Sequence, residues 1–489
     1  MLGLDLRNFL DLAEGRELLR RVTTPVDRLL EPGCLVKWVF QGLPLEQRFG
    51  LRFDQVAGAD FPLVTGALGA TVQSYALALG VEPAQINDHW ERALLAPRTP
   101  VTVAQAPCQE VVRRGVDVDL GHLLIPMWTP GRDAAPYITT CVVNRDPRSG
   151  VQNMGVYRTL VRDARSVVVN LAPGRQGRAC AEADWAAGRP APIAWVIGAE
   201  PSVYLASVAN LPAGVDEVTI AGGLKGEAID LVRCVSNELL VPARAEIIIE
   251  GEVLPGDTAP EGPFGESAGY MSDVELRPVA RITAITHRRD AIYYGLASQI
   301  PPSESTTLQS HGNPALIRYQ LRHIHGGTTL RDCWIHLMFG GGAQHLVVSL
   351  RPTRPGHARE LGRLLARTTP CKRITLVDED IDVRDRTDLD WVMSSHVDPQ
   401  RDVEVIGGFP AAMDHAVSPD AQGKKLGSKL VIDATRSLDT TPVSLPPRAL
   451  MEQALSTWRA AGWPEISDRA WLDRRLSAAL SEQVMADVF

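Results

Sequence analysis

Two carboxylates stand five positions apart in a hexapeptide that glycine and proline shape. The segment is Glu261-Gly262-Pro263-Phe264-Gly265-Glu266, and it lies between two predicted short strands. Glycine and proline constrain the direction of the backbone, so each carboxylate can enter a pocket from a defined side. Positioned carboxylic acids perform general acid and base chemistry, and the hexapeptide therefore predicts a catalytic loop. The alternative is a pair of structural ion pairs.

A second segment, Gln152 to Arg158, brings an amide, a glycine and a guanidinium into seven residues. Arginine is the side chain best suited to binding a carboxylate through two parallel hydrogen bonds. Arg158 is therefore a candidate for substrate capture, and a surface salt bridge is the alternative.

Composition limits the classes to which such a site can belong. The chain has 489 residues, 45% of them apolar and 22% charged, which is typical of a soluble globular protein with two or three domains. Its net charge of -8 gives no reason to expect nucleic acid or an anionic membrane as a partner. We find no membrane span or basic leader in the sequence, which predicts a cytoplasmic location. Seven scattered cysteines without a Cys-x-x-Cys pair predict reduced thiols.

The rhythm of apolar residues predicts several blocks along the chain. Helical spacing fills the first 21 residues and ends before Pro25, and α/β structure follows up to a boundary near residues 126–130. The middle block has short apolar runs separated by turns, which is typical of an antiparallel sheet or barrel. The runs are at residues 167–169, 245–251, 281–286 and 292–294.

After residue 325 the pattern predicts a right-handed βαβ unit, with strands at 346–350 and 374–377 and a helix at 357–368. The acidic run Asp378 to Asp382 follows, either at a ligand site or as a solvated strand end. A helical tail at 446–489 would cover its own domain or another subunit. We predict domains at 1–125, 126–320, 321–445 and 446–489.

Other motifs are weak. No Walker loop and no dinucleotide fingerprint after a strand is present in the sequence. The glycines at 340–342 indicate a tight turn more strongly than a phosphate loop. On a strand, His323 and His325 would share one face and could bind a metal, although no third ligand is nearby in the sequence.

Four ordered segments together resemble the UbiD decarboxylase family. They are N-x-G-x-Y-R at 153–158, E-V-x-x-A-G-x-L-K-G at 217–226, E-G-P-F-G-E-x-x-G-Y at 261–270 and G-S-K-x-x-x-D-A-T at 427–435. The resemblance covers roughly residues 100–440. It implies an α/β protein with a central split β-barrel that binds prenylated FMN (prFMN), with Mn²⁺ and K⁺ bridging the flavin phosphate to the protein.

The resemblance also implies roles for single residues. Arg158 corresponds to the arginine that holds the substrate carboxylate, Glu261 to its ion-pair partner and Glu266 to the acid whose proton replaces CO₂. Asn153 and Glu217 match metal ligands, and Lys372 resembles a lysine near the flavin phosphate. The other residues implied in cofactor binding are Met154, Gly155, Val156, Tyr157, Arg175, Gln176, Ser207, Val208 and Ala209, of which the last three would offer oxygens to K⁺.

The chain departs from the family pattern at two positions. Where the family has a histidine metal ligand, this chain has Pro173-Gly174-Arg175-Gln176-Gly177, so that Gln176 would have to supply an oxygen. His396 stands where an arginine is common in the family. We expect the second change to affect packing or pocket polarity rather than the class of reaction.

The expected substrate is an unsaturated, aromatic or heteroaromatic carboxylic acid, decarboxylated reversibly without oxidation. A polar pocket wall with His311, Asn313, Met413 and His415 favours an aromatic or heteroaromatic acid, although both histidines could instead be structural. A flavin prenyltransferase would supply the cofactor, and the protein would form a homodimer or a higher oligomer. The alternatives are a flavin reductase-type oxidoreductase on a split barrel and a protein that binds prenylated flavin without turnover.

Overall fold

The computed structural model describes residues 4–59, 61–211, 214–324, 329–336, 338–339, 342–343, 345–410, 414–420, 423–436 and 444–466. The chain divides into two compact units, Met1–Leu316 and Ile317–Phe489. The predicted C-terminal helical tail lies outside the described residues beyond residue 466, as does Met413.

The helices of the described chain are α1 (Leu6–Gly15), α2 (Glu31–Gly42), α3 (Val72–Leu79), α4 (Ile86–Leu95), α5 (Gln176–Ala186), α6 (Pro201–Val208), α7 (Glu217–Lys225), α8 (Glu304–Tyr319), α9 (His357–Thr368), α10 (Arg386–Ser395), α11 (Pro399–Asp402) and α12 (Arg448–Ala460). The strands up to residue 294 are β1 (Leu19–Val22), β2 (Gly50–Phe53), β3 (Leu63–Thr65), β4 (Val101–Val103), β5 (Val111–Arg114), β6 (Tyr137–Ile138), β7 (Cys141–Arg145), β8 (Gln152–Val156), β9 (Thr159–Asp163), β10 (Ser166–Val169), β11 (Ala191–Ile197), β12 (Asp230–Arg233), β13 (Leu240–Pro242), β14 (Ile247–Glu261), β15 (Glu275–His287) and β16 (Tyr293–Tyr294). The remaining strands are β17 (Leu330–Ile335), β18 (Met338–Phe339), β19 (Gly342–Ala343), β20 (His345–Leu350), β21 (Arg373–Asp378), β22 (Val403–Pro410) and β23 (Leu426–Asp433).

The centre of the first unit is an antiparallel sheet of order β6-β9-β10-β15-β14-β11-β7-β8, with β5 paired to β15. Strands β8 and β9 stand near opposite ends of this order, yet only Tyr157 and Arg158 connect them. So short a link spans roughly 10 Å, because a residue extends the chain by at most about 3.6 Å. The sheet therefore curls until its ends approach each other, and the expected split barrel is confirmed as a curled half-barrel.

Alternation along β11 explains how the half-barrel is buried on both faces. Ala194 and Val196 belong to one cluster of buried apolar side chains, which includes residues of α1, α3, α4, α6 and α7. Ile193, Trp195 and Ile197 belong to a second cluster, with residues of β10, β14 and β15. Because successive strand residues point to opposite faces, one strand contributes to both cores.

The second unit contains the sheet β17-β20-β21-β23-β22, in which β20, β21 and β23 run parallel. Leu346 and Val348 join a buried cluster with Leu365 of α9, whereas Val347 joins a cluster with Leu389 of α10. Helices therefore cover both faces, as parallel sheets require. The predicted strands and helix of the βαβ unit are confirmed, and α9 has the predicted bounds.

Several predicted elements are wrong in detail. Helix α1 ends at Gly15, and residues 19–22 form a strand that pairs with β2. The strands beside the catalytic loop are long, because β14 has 15 residues and β15 has 13. Strand β16 pairs in parallel with β3, outside the antiparallel sheet. His323 lies in a π-helical segment, Gln320–Ile324, rather than on a strand, and His325 is outside the described residues.

In the part of the chain that the structure describes, no helix is long and apolar enough to cross a membrane.

Candidate active site

Arg158 lies at the seam where the ends of the curled sheet approach each other. Together with Tyr157 it forms the link between β8 and β9, so both strands fix its backbone. Its side chain is 12% exposed. A guanidinium held there lies mostly away from water, where its hydrogen bonds are strong and directional.

Glu261 and Glu266 both bind Arg158. Glu261 is fully buried, and its two oxygens accept hydrogen bonds from Nε and Nη2 of Arg158 at 2.9 and 2.8 Å. Glu266 accepts a hydrogen bond from Nη1, and its side chain is 14% exposed. Burial alone would lower the pKa of Arg158, but the two carboxylates outweigh it and the pKa is raised. The structure thus brings together the three predicted catalytic residues.

The backbone between the two glutamates is tightly constrained. Gly262 has a φ of 99°, and a Cβ atom there would lie 2.5 Å from the carbonyl oxygen of Asp273. The Gly262–Pro263 peptide bond is cis. At the other end, the amide of Glu266 donates to the carbonyl of Tyr270 at 2.9 Å. The positive φ and the short Cβ distance explain the glycine at position 262.

Two residues that touch this loop were not predicted. The hydroxyl of buried Tyr137 accepts a hydrogen bond from the amide of Gly262 at 3.2 Å, and its ring lies 4.3 Å from that of Phe264. Buried Asp133 accepts a hydrogen bond from the amide of Gly265 at 2.9 Å. The only signal in the sequence is the turn-forming composition of Thr129-Pro130-Gly131-Arg132-Asp133, which does not reveal its partner.

A second cluster, which we call the cradle, comprises Asn153, Tyr157, Gly177 and Glu217. One oxygen of Glu217, the first residue of α7, accepts a hydrogen bond from the amide of Met154 at 3.0 Å. The amide group of Asn153 donates to Tyr157 Oη at 3.3 Å. The same hydroxyl accepts from the amide of Gly177 at 3.2 Å. The cradle thus joins β8 to the N-terminal ends of α5 and α7.

The glycines of the cradle region allow the ring of Tyr157 to approach the backbone. A Cβ atom would lie 3.1 Å from this ring at Gly155 and 2.8 Å at Gly177. Gln176 is the first residue of α5 and is half-buried, while Arg175 precedes the helix and is exposed. The N-terminal end of a helix has a partial positive charge that attracts anions such as phosphate.

The cradle fits a cation. Glu217 is 8% exposed, and burial raises its pKa to about 7. None of the ion pairs among the described residues includes Glu217, so this carboxylate lacks the positive partner that a buried charge normally requires. A hard cation with oxygen ligands would supply that charge. Among the described residues, no group of three or more His, Cys, Asp or Glu could bind a metal.

Ser207, Val208 and Ala209 form the C-terminal end of α6, which contacts β8 and α7. The hydroxyl of Ser207 donates to the carbonyl of Tyr204 at 2.8 Å. Carbonyl oxygens at the end of a helix favour positive charge. A K⁺ site at this helix end stays a prediction.

The predicted pocket residues lie in different units. Asn313 and His311 are buried in α8, where Asn313 Oδ1 accepts from the amide of Asn210 at 2.9 Å and the ring of His311 lies 5.0 Å from that of Tyr75. His415 is exposed in the second unit.

Other predicted residues of the second unit take part in ion pairs or hydrogen bonds. Lys372 pairs with Asp414 at 2.6 Å. In the acidic run, Asp378 and Asp380 both pair with Arg436. Nδ1 of His396 lies 3.3 Å from the carbonyl oxygen of Ala434.

Comparisons with known proteins agree with the geometry. Three family models match in order: the 3-octaprenyl-4-hydroxybenzoate carboxy-lyase N-terminal domain at residues 10–94, the Rift-related domain of UbiD at 100–301 and the C-terminal domain at 321–434. Among solved structures, the UbiD-class enzyme HmfF from Pelotomaculum thermopropionicum, in an evolved dimeric form in complex with prFMN, is 30% identical. The alignment covers 92% of this chain and 99% of that one, with a TM-score of 0.78.

Two further structures are decarboxylases of aromatic acids. The vanillic acid decarboxylase of Sedimentibacter hydroxybenzoicus is 25% identical over 94% of this chain and 99% of its own, with a TM-score of 0.83. The 3,4-dihydroxybenzoic acid decarboxylase of Enterobacter cloacae is 26% identical over 93% and 100%, with a TM-score of 0.79.

Proposed function

Since the chain belongs to the UbiD family of carboxy-lyases, we propose that it removes CO₂ reversibly from an unsaturated, aromatic or heteroaromatic carboxylic acid with the help of prenylated FMN. The observation that carries this proposal is the buried contact of Arg158 with both Glu261 and Glu266 at the seam of the half-barrel. The flavin-reductase alternative offers no role for these three residues, and the comparisons do not favour it.

Arg158 binds the carboxylate of the substrate in this proposal. Glu261 occupies Nε and Nη2 of the guanidinium and so fixes its plane. Nη1 contacts Glu266, and the carboxylate of a substrate can replace Glu266 at this donor. With both carboxylates ionised, the trio carries a net charge of -1, because one positive charge meets two negative ones. An incoming carboxylate is therefore accommodated best when Glu266 is protonated.

Glu266 then supplies the proton that replaces CO₂. In the carboxylation direction, the same oxygen accepts the proton from the ring carbon, as reversibility demands. When bound, prenylated FMN supplies the electron sink that direct loss of CO₂ from an sp² carbon requires. The protein contributes the position of the carboxylate and the proton donor.

The cradle would hold the phosphate of the flavin through Mn²⁺ and K⁺. Asn153, Gln176 and Glu217 would ligate Mn²⁺, and the end of α6 at residues 207–209 would offer oxygens to K⁺. Residues 154–157 and Arg175 would contact the cofactor. A flavin contact of Lys372 stays a prediction, as do the four domain boundaries, the cytoplasmic location, a homo-oligomeric state and the supply of cofactor by a flavin prenyltransferase.

The proposed substrate is an aromatic or heteroaromatic acid. The similar proteins named as decarboxylases act on vanillic acid and 3,4-dihydroxybenzoic acid, both of which have an aromatic ring. His311 and Asn313 are buried polar residues of α8, and they remain candidates for a wall that recognises a ring N–H or hydroxyl.

The test is expression with and without a flavin prenyltransferase. Mass spectrometry identifies the bound cofactor, and candidate product arenes are then incubated in D₂O with bicarbonate to detect exchange of ring protons. We expect prenylated FMN only after co-expression, together with exchange in at least one arene. Co-expressed protein without the modified flavin would refute the proposal. Modified flavin without exchange or CO₂ release across the panel would instead favour the binding protein without turnover.

A further inference from the structure

The turn Trp128–Asp133 contacts the catalytic loop Glu261–Glu266 from outside it. Within the turn, the amides of Arg132 and Asp133 donate to the carbonyl of Thr129 at 3.0 and 2.9 Å. The amide of Ala134, which follows the turn, donates to the carbonyl of Pro263 at 2.9 Å. The turn is therefore ordered by its own hydrogen bonds and attached to the loop.

The carboxylate of Asp133 joins the turn to the residue before Glu266. Its Oδ2 accepts a hydrogen bond from the amide of Thr129 at 2.6 Å, and its Oδ1 accepts one from the amide of Gly265 at 2.9 Å. The residue is 8% exposed. One carboxylate oxygen therefore binds the backbone of the turn, and the other binds the backbone of the loop.

Close packing leaves little freedom at this contact. A Cβ atom on Gly265 would lie 2.4 Å from Oγ1 of Thr129, so no larger residue fits without movement. The same hydroxyl accepts a hydrogen bond from Nε2 of Gln299 at 3.1 Å. Lys37 of α2 donates to the carbonyl of Trp128 at 2.8 Å.

Burial disfavours a charge on Asp133, and its surroundings only partly compensate. Burial raises its pKa, while hydrogen bonds from the amides of Gly265 and Thr129 and the charge of Lys37 oppose that rise. Burial likewise lowers the pKa of Lys37, which the charge of Asp133 opposes. A buried acid of this kind needs its two amide partners, and it therefore restrains the backbone that carries them.

We propose that Asp133 is a positioning residue for the decarboxylation, which fixes the Glu266 carboxyl by binding the amide of the preceding residue, Gly265. The inference rests on the proposed function, since it assigns to Asp133 the orientation of the proposed proton donor. The amide of Glu266 also donates to the carbonyl of Tyr270, so the loop stays folded without Asp133. The Glu266 carboxyl, however, is then no longer fixed in its orientation. Small errors in the position of a reacting group cost up to about 100-fold in rate.

The test compares Asp133→Ala and Asp133→Asn with the wild type, all co-expressed with a flavin prenyltransferase. We expect kcat per bound flavin to fall about tenfold or more in Asp133→Ala. KM should stay within about twofold, since Arg158 and Glu261 are unchanged, and the cofactor spectrum should be the same. Deuterium exchange into the product arene should fall in parallel. Asp133→Asn retains one acceptor oxygen, so its kcat per bound flavin should lie between those of the wild type and Asp133→Ala. If the alanine variant does not fold, the asparagine variant provides the test.

Asp184→Ala is the matched control, because Asp184 is similarly buried and, among the hydrogen bonds of the described residues, its carboxylate binds Arg189 alone. A purely structural role would lower yield, melting temperature and flavin content in both alanine variants and leave kcat per bound flavin unchanged. Wild-type kcat per bound flavin in Asp133→Ala, or in Asp133→Asn if only that variant folds, would overturn the inference. Absence of turnover in the wild type would instead refute the proposed function.

Discussion

The guanidinium of Arg158 meets two carboxylates whose contacts with it are unequal. Glu261 is fully buried and takes two donors, whereas Glu266 is partly exposed and takes one. A fully buried carboxylate is a poor proton carrier, because protonation removes one charge of a buried ion pair. The remaining charge is then left without a partner and without water. Glu266 has one oxygen engaged and some access to water. The asymmetry therefore supports the proposed roles, orientation for Glu261 and proton transfer for Glu266.

This assignment predicts that Glu266→Gln abolishes turnover while prenylated FMN stays bound. Glutamine keeps the size and one acceptor oxygen but cannot donate the required proton, and general acid catalysis contributes about 100- to 10,000-fold. Steady-state CO₂ release and the flavin spectrum measure the two quantities. Glu275→Gln, at the exposed start of β15, is the control and should be as active as the wild type. A Glu266→Gln variant with wild-type rates would remove this residue from its role.

A second residue-scale prediction concerns the missing histidine. Gln176 opens α5 beside the cradle, and imidazole suits Mn²⁺ better than a glutamine oxygen does. We expect Gln176→His to tighten Mn²⁺ binding by about tenfold, an order typical of changes around a metal site, as measured by calorimetric titration.

The control for Gln176→His is Ala179→His, which places an imidazole on an exposed position of the same helix. It should leave the affinity unchanged. Equal affinities in wild type and Gln176→His would argue that Gln176 is not a ligand.

At the scale of elements, local sequence patterns predicted helices and strands well. They did not predict which strands pair over long distances in the chain. The bounds of α9 and the positions of β20 and β21 follow from apolar spacing within a few residues. The partner of β16 is β3, about 230 residues earlier in the chain, and no local feature reveals that pairing. The same holds for the site: motifs revealed Arg158 and the catalytic loop. Asp133 contacts Gly265 across 132 residues and was missed.

Strand β20 contains a histidine that should make the second unit sensitive to acid. His345 is 8% exposed, and burial together with the charge of Arg373 lowers its pKa to about 3. Arg373 donates to its Nδ1 at 2.6 Å, so the folded state holds a neutral ring. Its stabilising effect is complete above the ordinary pKa of about 6.5 and is lost as the pH falls from there toward 3.

We therefore predict that the unfolding free energy of the second unit falls by roughly 1 kcal/mol per pH unit below pH 6.5 through His345 alone. His345→Gln should show a shallower fall in a thermal unfolding series between pH 7 and pH 5. His336, whose pKa burial lowers to about 4, adds a similar slope that remains in the variant. His357→Gln, at the half-buried start of α9, serves as the control and should keep the wild-type slope. Identical slopes for wild type and His345→Gln would contradict the prediction.

At the scale of the whole molecule, the described chain forms two units with separate cores. Buried clusters of the half-barrel and N-terminal helices lie in the first unit, and those on both faces of the parallel sheet lie in the second. Units with their own cores can unfold in separate steps. The residues proposed to bind Mn²⁺, Asn153, Gln176 and Glu217, all belong to the first unit.

Calorimetry should therefore show two unfolding transitions. Loading with prenylated FMN and Mn²⁺ should raise mainly the midpoint temperature of the first unit's transition. A ligand that binds only the folded state stabilises it by about 2.7 kcal/mol at a free concentration 100 times its dissociation constant. The His345→Gln variant identifies the transition of the second unit, because that transition alone should change its pH dependence. A single transition that moves as a whole with ligand would show that the two units unfold together, and the cofactor would then stabilise the entire chain.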